Sequence, residues 1–139
     1  MFKVKIYSVG RSKESWLQEA LAEYEKRLSR QIEIEWVFAK DDAQLAEKVT
    51  APWIALDVQG EEVDSPGLAK KLSGLFLTHG SRLNFLIGGA EGINKKLLEQ
   101  SAWRWSLSLL TFTHQMTRLI LLEQLYRAFQ IESGTSYHK

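Results

Sequence analysis

The residue types that could do chemistry gather in the last third of the chain. Gly88, Gly89 and Gly92, with Ala90 and Glu91 between them, follow an apolar run over residues 83–87. Glycine has no side chain to hold a ligand off, so such a loop can bring backbone close to a flat or anionic group. The same glycines also suit a plain tight turn. Ser106, Ser108, Thr111 and Thr113 then place hydroxyls around the end of a second apolar run. They could line a ligand pocket, or Thr113 could simply cap the helix that follows. Arg118 and Arg127 sit on that helix, about two and a half turns apart and so on roughly opposite faces. Solvated arginines paired with Glu123 or Glu132 are one reading. Contact with an RNA phosphate or a base carbonyl is the other. Tyr137 and His138 lie at the extreme C-terminal end, where a frayed tail is the default.

Several chemistries are excluded by pattern. The glycine spacing is not G-x-G-x-x-G, and no acidic residue stands about 20 positions on to hold a ribose, so a dinucleotide fold of that type does not fit. The Gly-Lys-Ser/Thr ending of a Walker loop is missing. His79, His114 and His138 lack metal-ligand spacing. With no cysteine in the chain, disulfides, thiolate zinc sites and a cysteine nucleophile are out, and a reducing cytosol suits the composition. No Ser/His/Asp triad or paired carboxylates can be read from spacing.

These residues need elements to hold them. Phe2, Val4 and Ile6 alternate with Lys3, Lys5 and Tyr7, which predicts a first strand ended by Gly10. Trp16, Leu17, Ala20, Leu21, Tyr24 and Leu28 recur at helical spacing, predicting a helix over 13–29 with Ser12 as a candidate cap. Ile32, Ile34 and Trp36 alternate with Glu33 and Glu35, as an edge strand would. Residues 39–50 read as a short charged helix. Residues 53–58 are almost wholly apolar, predicting an interior strand that turns at Gln59-Gly60. Ser65-Pro66 reads as a helix start with serine as cap, and His79-Gly80 as its end. Residues 83–87 make a fourth strand, Asn94 caps a short helix, residues 105–110 make a fifth strand, and a long helix covers 113–131 before Gly134. Strands alternating with helices predict an α/β layered fold, mostly parallel, with helices on both faces. The expected ligand site is where strand ends three to five meet.

The chain has 139 residues, the size of one domain. Apolar residues reach 45%, enough for a core. Lys and Arg total 18 against 17 Asp and Glu, so no basic surplus announces a nucleic-acid binder, although a local basic face can hide in a neutral total. No apolar run approaches the roughly 20 residues a membrane span needs.

Taken together, the runs Leu86-Ile87-Gly88-Gly89-Ala90-Glu91-Gly92, Trp105-Ser106-Leu107-Ser108, Thr111-Phe112-Thr113-His114-Gln115, Leu122-Glu123-Gln124-Leu125-Tyr126-Arg127-Ala128 and Tyr137-His138 resemble the RlmH family. These are ribosomal RNA large-subunit methyltransferases within the SPOUT superfamily. The likeness spans the whole chain and includes Val9-Gly10, Ala55-Leu56-Asp57 and Gly60. It implies one SPOUT domain over 1–139, a C-terminal trefoil knot, a cytoplasmic homodimer and no membrane or metal. It also implies S-adenosyl-L-methionine as methyl donor and N3 of a pseudouridine on the assembled ribosome as acceptor. Carried over by position, the cofactor site would use Leu56, Gly88, Leu107, Ser108, Leu109, Leu110, Thr111 and Phe112. Arg118, Tyr137 and His138 would lie near the transferring methyl or the RNA, with His138 as candidate base. A ribosome-binding module without catalysis, or a SPOUT enzyme acting on transfer RNA, are the alternative readings. The segment 39–52 is shorter than the family's usual lysine-rich counterpart, which bears on ribosome affinity more than on methyl chemistry.

Overall fold

Alternation of side chains decides the architecture, because successive residues of a strand face opposite sides of a sheet. The computed structural model describes residues 1–134. Its strands are β1 (Phe2–Val9), β2 (Ile32–Ala39), β3 (Trp53–Glu61), β4 (Arg82–Ile87) and β5 (Trp103–Trp105). Its helices are α1 (Ser15–Leu28), α2 (Asp42–Lys48), α3 (Ser65–Thr78), α4 (Lys95–Glu99) and α5 (His114–Glu132). The five strands form one sheet in the order β2-β1-β4-β3-β5, and every pairing is parallel.

Parallel strands need both faces covered. Val4, Ile6, Ile54, Leu83, Phe85 and Ile87 pack on one side with Leu17, Leu21, Leu72, Phe76, Leu121 and Leu125 from α1, α3 and α5. Tyr7, Trp53, Ala55 and Leu86 pack on the other with Leu45 of α2 and Leu97 of α4. Burial of each such leucine contributes roughly 1.5–3 kcal/mol, so the larger three-helix side carries most of the apolar stabilisation. Strand β2, whose Glu33 and Glu35 are exposed, is an edge as its alternation requires.

Some boundaries differ from the sequence expectation. Ser12 does not cap α1; Glu14 holds the N-cap position with no side-chain bond, and the Ser12 hydroxyl is instead an acceptor for Arg118. Asp64, not Ser65, caps α3: its carboxylate accepts from the Gly67 amide at 2.8 Å. Gln59-Gly60 is not a turn but the end of β3. Strand β5 stops at Trp105, so residues 106–110 are loop. The apolar pattern continues, but among the described residues no strand pairs with it. Asn94 and Thr113 do cap α4 and α5.

Because β5 lies at one edge and β1 near the other, the chain after Trp105 must return across the strand ends. On that path the Ser106 amide donates to the Glu61 carbonyl at 2.9 Å. Gly60 lets the end of β3 lie against the backbone of β5: a Cβ there would stand 2.6 Å from the Arg104 carbonyl carbon and oxygen.

Candidate functional site

The returning segment and the glycine loop face each other over the C-terminal ends of β3 and β4, forming a cleft of about 460 Å³. Leu56, Gly88, Leu107, Ser108, Leu110, Thr111 and Phe112 line it, joined by Asp57, Ile93, His114 and Thr117. Of the expected cofactor residues, Leu109 alone is not part of the lining; it is 71% exposed.

Each wall has a local cause. Gly88 is required by the loop itself, because a Cβ would sit 2.7 Å from the Gly92 carbonyl carbon and 2.8 Å from the Ile93 amide. Gly92 adopts φ +80°, a conformation that side chains disfavour, and its amide closes on the Gly89 carbonyl at 2.9 Å. Asp42 of α2 holds the loop from outside, accepting from the Gly89 amide at 3.1 Å. These contacts are those of a tight turn.

The facing wall is held by its hydroxyls rather than by strand pairing. Ser106 donates to the Ser108 carbonyl at 3.0 Å, and the Ser108 hydroxyl accepts from the Leu110 amide at 3.0 Å. Among the described residues, no backbone-to-backbone bond engages the amides of residues 107–112. A wall of open peptide groups beside leucine, phenylalanine and glycine can read the edge of a flat heterocycle while burying its faces.

Arg118 is the largest change from expectation. It is neither solvated nor paired with an acid: its exposure is 0%. All five guanidinium hydrogens have partners. Nε donates to Ser8 Oγ, Nη1 to Ser12 Oγ and Gln115 Oε1, and Nη2 to the carbonyls of Val9 and Gly10, at 2.6–3.1 Å. Its cation also lies 5.3 Å from the Phe38 ring centre. Burial pushes its pKa down to about 10, still high enough to keep it charged near neutral pH. The arginine thus clamps the start of α5 to the tip of β1, and that start carries His114 and Thr117 into the cleft. Arg127, in contrast, forms an ion pair with Glu123 on the same helix.

Tyr137 and His138 lie outside the described residues. Asp57 and Thr117 were missed by sequence reasoning. Asp57 ends the apolar stretch of β3, and Thr117 lies one turn after Thr113, which were the signals available. Asp57 is paired with Arg104 at 2.7 Å. A second groove of about 530 Å³ runs between α3 and α5, lined by Phe2, Leu72, Phe76 and Phe129. It sits at the opposite ends of the strands, with Gln31, Glu132 and Ser133 at its rim, where Gln31 donates to the Ser133 hydroxyl. Among the described residues no His, Cys, Asp and Glu group could hold a metal ion, and no helix is long and apolar enough to cross a membrane.

The family model described as "Predicted SPOUT methyltransferase" matches residues 2–138. A Protochlamydia amoebophila protein named Ribosomal RNA large subunit methyltransferase H is 48% identical over 141 positions, covering 100% of both chains. Proteins of the same name from Acetivibrio thermocellus and Pelotomaculum thermopropionicum are 39% and 41% identical, each alignment covering 99% of both chains. Among solved structures, a probable methylase family protein from Haemophilus influenzae Rd KW20 superposes with a TM-score of 0.54 at 10% identity, covering 94% of this chain and 66% of that one. At that identity the likeness speaks for the fold alone.

Proposed function

The chain belongs to the SPOUT methyltransferase family, and from that premise we propose that it methylates ribosomal RNA of the large subunit at N3 of a pseudouridine, as a cytoplasmic homodimer using S-adenosyl-L-methionine. The observation that carries the reading is the cleft at the strand ends, where the glycine loop meets a wall whose amides make no backbone-to-backbone bond among the described residues. Its size, apolar faces and open peptide groups fit an adenosine moiety. Leu56, Gly88, Leu107, Ser108, Leu110, Thr111 and Phe112 would hold it, with Leu109 beside them. When bound, the cofactor supplies an electrophilic methyl on a sulfonium.

The chain's own work is then positioning and proton removal. The glycine loop and the 107–112 wall fix one reactant. The ring N–H of the acceptor must lose a proton, for which the imidazole of His138 is our candidate base, with Tyr137 beside it. Arg118 has every donor engaged within the protein, so we assign it to holding α5 and the cleft's rim, with its charge favouring a developing anion nearby. Leu109 and Leu110, about 70% exposed, and Met116 give an apolar surface next to the cleft that a second copy would cover. We also infer that the return of the chain past Gly60 is the threaded crossing of a trefoil knot, within one domain over 1–139.

The test is incubation of the protein with the cofactor and ribosomes lacking the modification, followed by mass spectrometry of the RNA nucleosides. The expected product is 3-methylpseudouridine from the large-subunit RNA. Methylation of transfer RNA alone would move the target, and binding to ribosomes with no methyl transfer would make this a non-catalytic module.

A further inference from the structure

A smaller cavity lies on the other side of Arg118, at the edge of the sheet. It measures about 320 Å³ and is lined by Arg11, Ser12, Gln18, Glu25, Trp36 and Phe38, with Leu21 at its base. Trp36 and Phe38 are on the same face of edge strand β2. Their rings are parallel, 3° apart in plane with centres 5.9 Å apart. Arg11 is exposed and its guanidinium carbon lies 5.8 Å from the Phe38 ring centre.

The polar groups at this cavity are mainly acceptors. Glu25 Oε1 accepts from the Trp36 indole N–H at 3.1 Å. Among the described residues Glu25 Oε2 has no partner. Gln18 donates its amide to the Ser12 carbonyl at 2.6 Å, which leaves its own oxygen open. The Glu25 side chain is half-buried beside the aromatic pair, and its second oxygen is free to accept from a ligand's N–H donor. A cation at the mouth would favour an anion just outside.

We propose that this cavity binds a single unstacked RNA base whose edge carries adjacent N–H donors, guanine above all, stacked against the Trp36–Phe38 wall with its phosphate at Arg11. Two neighbouring donors match a carboxylate edge, whereas uracil offers only one. Aromatic walls and arginine planes are the usual platform for splayed RNA bases. The placement serves the methyl-transfer cleft. Ser8, which pairs with Phe38 across β1 and β2, is also a ligand of Arg118, and Arg118 neighbours Thr117 of the cleft. One buried arginine therefore fixes the spacing between the target nucleotide and a flanking base.

This inference rests on the reading that the substrate is RNA, and two measurements separate its failure from that reading's. The first is steady-state methyl transfer to assembled ribosomes by wild type, Arg11→Ala and Glu25→Gln. The expectation is a KM for ribosomes raised about tenfold with kcat and cofactor affinity unchanged. Active wild type with KM unchanged in both variants would overturn the base pocket while leaving the function intact. The second needs no activity: the Trp36 indole N–H is followed by NMR during titration with guanosine 5′-monophosphate and, separately, uridine 5′-monophosphate. Shifts with the guanosine nucleotide alone, lost in Glu25→Gln, are expected. Equal response to both, or none to either, would overturn the proposal even if wild type transferred no methyl to any RNA.

Discussion

At Arg118 a cation is buried without a carboxylate, and its stability rests on five neutral acceptors. Removing the side chain would leave the carbonyls of Val9 and Gly10 and the Ser8 hydroxyl without their donors. We expect Arg118→Met to cost about 3 kcal/mol in urea unfolding. Arg118→Lys should also lose stability, since an ammonium cannot reproduce the planar fork. Neither the burial nor the partners could be read from the sequence, because Ser8, Val9 and Gly10 are more than a hundred positions away. Spacing along the helix showed only that Arg118 and Arg127 point apart. Glu25 gives a second test. Burial raises its pKa above the ordinary carboxylate value, partly offset by the Trp36 bond. A carboxyl that holds its proton more tightly when folded loses stability as pH rises through that raised pKa. Glu25→Gln keeps an acceptor for Trp36 and removes the titration. It should be more stable than wild type at neutral pH, and that advantage should vanish in acid, below the ordinary carboxylate range. Thermal melts of both proteins from pH 3 to pH 8 would show it, and a constant difference would contradict it.

At the level of elements, the crossing of β3 and β5 and the glycine loop carry the site. Gly60→Ala would push a methyl into the Arg104 backbone, which can yield only by moving β5. A loss of about 1–3 kcal/mol is expected, with weaker cofactor binding because Ser106 is anchored to the same stretch. Gly88→Ala meets backbone of its own loop and should weaken cofactor binding more than tenfold in calorimetry, even in protein that remains folded. The Thr113→Ala change removes a cap and should cost roughly 1 kcal/mol. Strands β1 and β4 were legible because their alternation or continuous apolar run matches a covered sheet, and β2 because its alternation is that of an edge strand with one solvated face. The fifth strand was misjudged over 106–110 because periodicity cannot reveal whether a pairing neighbour exists. The caps at Asn94 and Thr113 were readable from local chemistry. The cap of α3 was assigned one residue late, since Asp64 and Ser65 are both good acceptors at a helix start.

For the whole molecule, the glycine loop, the hydroxyl-bearing segment and the strand ends come together as the α/β pattern expects, and the sequence's family resemblance agrees with the family match over residues 2–138. What the pattern could not convey is the return path of the chain after Trp105, or the close approach of β3 to β5 at Gly60. The exposed Leu109, Leu110 and Met116 predict self-association. Sedimentation should give about twice the 16.0 kDa chain mass, and Leu110→Asp with Met116→Asp should shift it to monomer. The central claim is that the cleft between the glycine loop and residues 107–112 is the cofactor site. It is tested most directly by a crystal structure with S-adenosylhomocysteine. Density for the nucleoside against Gly88, Leu107 and Phe112, with ring nitrogens on the backbone of that wall, is the predicted result. Density in the groove between α3 and α5 instead, or a cleft left empty at saturating ligand, would contradict it.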